Sequence, residues 1–443
     1  MRKYVVMGVL SAVLASPVMV APVAAGQVAA VADGHDGHRS GDGTAKADGF
    51  DGRTAHDGRK GHDGRQSTFH VADGVLFNTP FTNRWRILSK QLREIRHTFK
   101  GAKIRIMSWN FMNRDITDAL INAHQRGVSV RIFMARTLVN PEFRRLGNAL
   151  RVGNANRPRA MRSWARTCSN SCRGKGGAMH AKWMTISEAG STKWVVGEGS
   201  ANLTTAAAVN QWNDWLTTTN NREIYRGFQK VFRQASHDHK YPAYQFRSGN
   251  TLTWFAPRPG RKDLVMDMLD KVRCKGARNA GINGRTAIRI ASAVIQNSRG
   301  QRIAHKIKDL QNRGCNIRMV YTLSSNEVLG ILQGVPVRHL AYDTDGDGAF
   351  DNYLHMKAMS ISGNYDGDRS ARIIFNGSAN WSTIGVISDE QGMIVRDDSL
   401  ERQYGKWITG LYNHAPAGRL TTPQYYRSRG LPNPYKGLEL ELR

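Results

Sequence analysis

The chain has 443 residues, with 64 lysines and arginines against 35 aspartates and glutamates, a formal charge of +29. That length provides for two domains of ordinary size, each with its own core. The charge excludes an electrostatically indifferent surface and points to a polyanionic partner such as nucleic acid, a teichoic-type polymer or an anionic membrane face, with a general need for solubility as the plainer source.

Residues 1–30 place Arg2 and Lys3 before the apolar run YVVMGVLSAVLASPVMVAPVAA, which closes in small residues. This pattern predicts a secretory signal peptide and a secreted protein. A membrane anchor is the rival, set back by Pro17 and Pro22 within the run and by the small residues around Val23 to Ala25. No later stretch approaches the roughly twenty apolar residues that a spanning helix needs, so the mature chain is expected to be soluble. Residues 31–70 repeat an Asp-Gly step with His and Arg between. Almost without apolar residues, they predict a disordered spacer with at most weak affinity for divalent metal.

The rest divides into lobes at 71–240 and 241–443. In the first, KIRIMSWNF (103–111) alternates like a strand, DITDALINAHQ (115–125) has helical spacing, Gly127 stops the helix, and VSVRIFM (128–134) is a second strand. The second repeats the order with AIRIASAVI (287–295), QRIAHKIKDLQ (301–311), Gly314 and CNIRMVY (315–321). Strand, crossover helix and parallel strand make a βαβ unit. The expected class is α/β, two similar lobes, each a mixed β-sheet flanked by helices. Four cysteines in an exported chain favour disulfides over zinc, since no CxxC pair is present. Pairing Cys168 with Cys172 and Cys274 with Cys315 leaves each lobe able to fold alone.

A second shared block follows in each lobe: GAMHAKWMTIS with WVVGEGSANLTT, and NYLHMKAMSIS with IIFNGSANWST. Each carries His-x-Lys at the head of a strand, where the two side chains share a face, and Gly-Ser-Ala-Asn after another strand. His180, Lys182 and Asn202 from one lobe, with His355, Lys357 and Asn380 from the other, would surround one anion. Gly199 and Gly377 suit tight turns that expose Ser200 and Ser378 for substrate binding.

These paired blocks resemble the phospholipase D superfamily, over about residues 75 to 415. The resemblance implies a pseudo-dimer, a monomer with an internal twofold, whose motifs form one metal-independent site. It implies that His180 attacks phosphorus to form a phosphohistidine, while His355 protonates the leaving group and then activates water. The lysines and asparagines would hold the phosphate oxygens. The family aspartate five residues after each lysine is here Ser187 and Ser362, which would support the histidines more weakly. Glu390, beside Asp389, stands where the family often has a glutamate, with Asn213 or Asp214 as counterpart in the first lobe.

Ahead of the second block, DTDGDGAFDN (343–352) alternates carboxylates around glycines. It resembles EF-hand-like calcium loops, with Asp343, Asp345, Asp347 and Asp351 as ligands of a structural Ca2+ and Leu354 where a closing Glu would stand. The expected function is hydrolysis of phospholipid head groups at a peripheral membrane surface. The alternatives are a secreted endonuclease acting on nucleic acid and a degenerate polyanion-binding protein. Trp109, Phe111, Trp183, Trp212 and Trp381 supply either an apolar rim or core.

Overall fold

The computed structural model describes residues 68–418 and 420–440. The expected signal peptide and residues 31–67 of the Asp/Gly/His-rich segment lie outside the described residues.

Two nine-stranded mixed sheets carry the fold. One runs in the order Ala341–Tyr342, Asn352–Leu354, Gln211–Thr218, Thr192–Gly199, Lys182–Ala189, Lys103–Ser108, Ser129–Ala135, Trp164–Cys168, with Gly74–Asn78 also paired to Gln211–Thr218. The other runs Val337–His339, Asn316–Ser324, Ala287–Ile295, Lys357–Tyr365, Asp368–Gly377, Gln391–Arg396, Thr251–Phe255, Tyr244–Ser248, with Val272–Arg273 also paired to Lys357–Tyr365. Both have three successive parallel strands beside an antiparallel meander. Lys103–Ser108 lies parallel to Ser129–Ala135, and Ala287–Ile295 parallel to Asn316–Ser324.

The local causes are those of the repeat. Asn113 caps the helix Arg114–Gln125 by accepting the Ile116 N–H, and Gly127 ends its turn at φ +93°, a conformation that glycine adopts without a Cβ clash. The equivalent helix, Asn297–Asn312, is followed by Gly314 at φ +88°. A core cluster shared by both sheets takes Met107, Trp183 and Val196 from one and Ile374 and Met393 from the other. Phe228 and Phe232 of the helix Arg222–Ala235, with Tyr404 and Ile408 of the helix Asp398–His414, complete it. Two further clusters gather the residues on the opposite faces. Cys168 bonds Cys172 and Cys274 bonds Cys315.

The halves interlock at the site. Asn352–Leu354, which leads into His355, joins the first sheet by pairing parallel with Gln211 and Trp212. Reciprocally, Met179, next to His180, bridges Asp389 of the second half.

Candidate active site

Each histidine is held by the other half's chain. The His180 N–H donates to the Asp389 carbonyl at 3.1 Å, and the His355 N–H to the Trp212 carbonyl at 3.0 Å. The residue following each of those carbonyls then reaches the imidazole. His180 Nδ1 lies 2.8 Å from Glu390 Oε1, and His355 Nδ1 lies 3.0 Å from Asn213 Oδ1. Asn213 Nδ2 donates to the Ala207 carbonyl and to Gln211 Oε1, which fixes its oxygen toward the ring. Both partners accept, so Nδ1 carries the hydrogen in each ring and Nε2 faces the site.

The partners are braced in turn. Ser378 Oγ donates to Glu390 Oε2, and Ser200 Oγ lies 2.9 Å from Asn213 Oδ1 and 2.6 Å from Asp214 Oδ1. Gln391 Oε1 accepts the Lys182 N–H at 2.9 Å, while its Nε2 reaches the carbonyls of Lys182 and Gly199. Each lysine turns back on its own motif: Lys182 Nζ donates to the His180 carbonyl at 2.6 Å, and Lys357 Nζ to the His355 carbonyl at 2.5 Å. Trp109 meets the His180 ring edge-on at 4.9 Å between centroids, with Lys182 Nζ 5.2 Å from its own ring centroid. Arg299, paired with Asp263, donates to the Asn380 carbonyl at 2.6 Å.

The two histidines, two lysines and two asparagines are each at most 1% exposed. Among them, His355 Nε2 and both amide atoms of Asn380 make no hydrogen bond within the described chain. Leaving such groups dry and unpaired costs about 1–3 kcal/mol each, and a ligand's polar atoms would satisfy them.

Burial dominates the electrostatics. It holds His355 well below the usual imidazole range, and Lys357, Lys182 and His180 depress it further. Burial pushes Glu390 up to about 7, against the pull of Lys182, the Ser378 hydroxyl and Lys357. Behind the motifs, Glu198 accepts from Asn376 at 2.8 Å, and Tyr404 donates to Asp214 at 2.8 Å. Burial raises Glu198 to about 8, with the Asp214 charge adding to it.

Several expected residues stand elsewhere. Ser187 Oγ accepts the Lys103 N–H, and Ser362 Oγ meets the Gly281 N–H and Arg372. Five residues of strand separate each from its lysine, about 16 Å at 3.3 Å per residue, so neither serine supports a histidine. Ser200 and Ser378 are buried against the histidines' partners instead of being exposed to substrate. Gly199 and Gly377 serve close approach more than a tight turn: a Cβ would lie 2.4 Å from the Asp214 carbonyl oxygen and 2.2 Å from that of Gln391. Phe111, Trp183 and Trp381 belong to the core, and buried Trp212 packs on Phe81 and Tyr342. Only Trp109 of the five aromatics reaches a catalytic-motif ring. In the acidic loop Asp343, Asp345 and Asp351 present carboxylate oxygens within 4.8 Å of one another; Asp347 stands apart from that group and accepts the Ala349 N–H. Gln391, Arg299 and Glu198 were not singled out in the sequence. Gln391 carries a signal, since it follows Glu390 directly.

Residues 92–236 match the family described as cardiolipin synthase, PLD-like domain, a span that contains the first His-x-Lys and Gly-Ser-Ala-Asn. The first half of the chain thus carries a PLD-like domain. Phosphatidylserine synthase from Haemophilus influenzae Rd KW20 has a similar fold, with a TM-score of 0.50 at 10% identity over 77% of this chain and 88% of that one. Polyphosphate kinase from Porphyromonas gingivalis also gives a TM-score of 0.50, at 16% identity over 76% of this chain. This chain spans 46% of that kinase's length. The phospholipase D family member Nuc from Salmonella typhimurium aligns with 38% of this chain at 22% identity and a TM-score of 0.28. No curated protein matches the sequence. No helix among the described residues is long and apolar enough to cross a membrane.

Proposed function

We propose that this chain is a secreted phosphodiesterase of the phospholipase D superfamily that releases phospholipid head groups through a phosphohistidine. The observation that carries the reading is the crossed pairing of the imidazoles, His180 with Glu390 and His355 with Asn213. A carboxylate on Nδ1 makes Nε2 of His180 the better nucleophile and balances the cation formed when that nitrogen bonds phosphorus. An amide on Nδ1 offers no such balance, so protonated His355 gives up its proton readily. His180 Nε2 attacks phosphorus, the bond to the leaving alkoxide breaks, and His355 supplies the alkoxide's proton. His355 then takes a proton from water, the hydroxide attacks phosphorus, and the P–N bond breaks. Lys182, Lys357, Asn202 and Asn380 hold the non-bridging oxygens.

Two features support a lipid. Trp109 is partly exposed beside His180, and Met112, 48% exposed, is tied by its N–H to the carbonyl of Leu203, next to Asn202. The formal charge of +29 favours the second reading, a nuclease. Export rests on the amino-terminal pattern together with two disulfides. The oxygens of Asp343, Asp345 and Asp351 suit a structural calcium ion, which would stiffen the loop ahead of His355.

Head-group release from mixed phospholipid vesicles, beside cleavage of plasmid and RNA, tests the reading. Lipid turnover is expected, with a loss of at least about 10³-fold in His180→Ala and His355→Ala and only a lowered melting temperature in chelator. Cleavage of nucleic acid alone transfers the site to the nuclease reading. Inertness toward every substrate overturns both.

A further inference from the structure

Residues 431–440 reach this site and place a carboxylate beside it. Tyr435 and Leu440 are buried in one cluster with Val294 and Tyr353, while Leu431, Pro432, Asn433, Lys436 and Gly437 are exposed. The segment is thus anchored around Pro434–Tyr435 and over Leu438–Leu440, with exposed residues before and between. Within the second anchor, the Glu439 carboxylate accepts from Asn110 Nδ2 at 2.8 Å, Gln211 Nε2 at 3.1 Å and Thr204 Oγ1 at 3.2 Å. Its N–H donates to the Tyr353 hydroxyl at 2.8 Å.

Every one of these partners belongs to the frame of the site. Asn110 follows Trp109, Thr204 lies two residues after Asn202, Gln211 two before Asn213, and Tyr353 two before His355. Burial raises the Glu439 pKa, against the pull of the Gln211, Asn110 and Thr204 donors. Among the described residues no lysine or arginine forms an ion pair with Glu439. An anion held by neutral amide and hydroxyl donors is the arrangement that also suits phosphate oxygens. Meanwhile the six motif side chains are at most 1% exposed, so a phosphodiester reaches them only if something moves.

We propose that residues 431–440 are an intrasteric strap whose Glu439 carboxylate stands in for an anionic group of the substrate, which must displace it to bind. This rests on the phosphodiesterase reading for its substrate, but not for its test. Orthovanadate affinity is measured by calorimetry for the full chain, for Glu439→Gln and for a chain ending at Gly430, alongside turnover of bis-nitrophenyl phosphate. The strap predicts vanadate binding tighter by about tenfold in Glu439→Gln and by more in the shortened chain, with KM falling in step and kcat little changed. Because loss of Tyr435 and Leu440 can unfold the shortened chain, Glu439→Gln is decisive where melting shows that to have happened. Equal vanadate affinity in the folded proteins, or no binding by any, overturns the strap. Tighter vanadate without turnover in any variant keeps the strap and removes the phosphodiesterase reading.

Discussion

Glu390 and Asn213 occupy equivalent places and differ by one charge, and on the proposed phosphohistidine route that difference would give the two histidines separate work. In the free enzyme His180 needs Glu390 ionised, and burial has raised that carboxyl to about 7. The competent form is therefore lost as pH falls through about 7. His355 must be protonated, and its pKa lies well below the usual 6.5, so its competent form is lost as pH rises. The profile of kcat/KM should be a bell with its maximum on the acid side of pH 7, its limbs belonging to the coupled groups together. Glu390→Gln should lower kcat by about 10²–10³-fold and remove the limb near 7. A rate climbing steadily above pH 8, or a Glu390→Gln variant as active as the parent, would contradict this division. His-x-Lys and Gly-Ser-x-Asn were legible because they recur in order. The histidines' partners were legible only roughly, because Glu390 follows Asn380 by 10 residues whereas Asn213 follows Asn202 by 11. Ser187 and Ser362 misled, since sequence spacing does not reveal which end of a strand faces the site.

At the level of elements, periodicity was a good guide where pairing is local. AIRIASAVI was read as a strand over 287–295 and forms one over Ala287–Ile295; the helix read over 115–125 runs Arg114–Gln125. What periodicity does not carry is the segment Asn352–Leu354, three residues that pair in the first sheet with Gln211 and Trp212, far away in sequence. The short acidic loop before it and the shared cluster of Ala341, Tyr353 and Tyr435 hold that crossing in place. The strand ends at Gly199 and Gly377 are set by the neighbouring backbone more than by turn geometry. Gly377→Ala would push a Cβ within 2.2 Å of the Gln391 carbonyl oxygen at φ +147°. Its expected cost is about 2–4 kcal/mol of stability, read from the denaturation midpoint. Gly410→Ala, in the helix Asp398–His414 with nothing within 4 Å of its Cβ, should instead be neutral or stabilising by about 0.5–1 kcal/mol. Equal effects at the two glycines would show that the close strand approach does not govern the site's geometry.

Across the whole molecule, neither half holds a complete site. His180 depends on Glu390 and Gln391 from the second half, and His355 on Asn213 from the first. The same exchange fixes the backbone, with each histidine's N–H on a carbonyl of the other half. The duplicated sequence made the two similar mixed sheets legible, but not the strap, because nothing in residues 431–440 repeats or patterns in a way that separates Glu439 from any surface glutamate. The asymmetry at the centre gives the most direct test: rapid acid-free denaturation during turnover of a phosphodiester carrying labelled phosphorus, followed by peptide mapping. The label should be found on the peptide containing His180, accumulate in His355→Asn and vanish in His180→Asn. Label on the His355 peptide, or turnover with no covalent label in any variant, would contradict a phosphohistidine at His180.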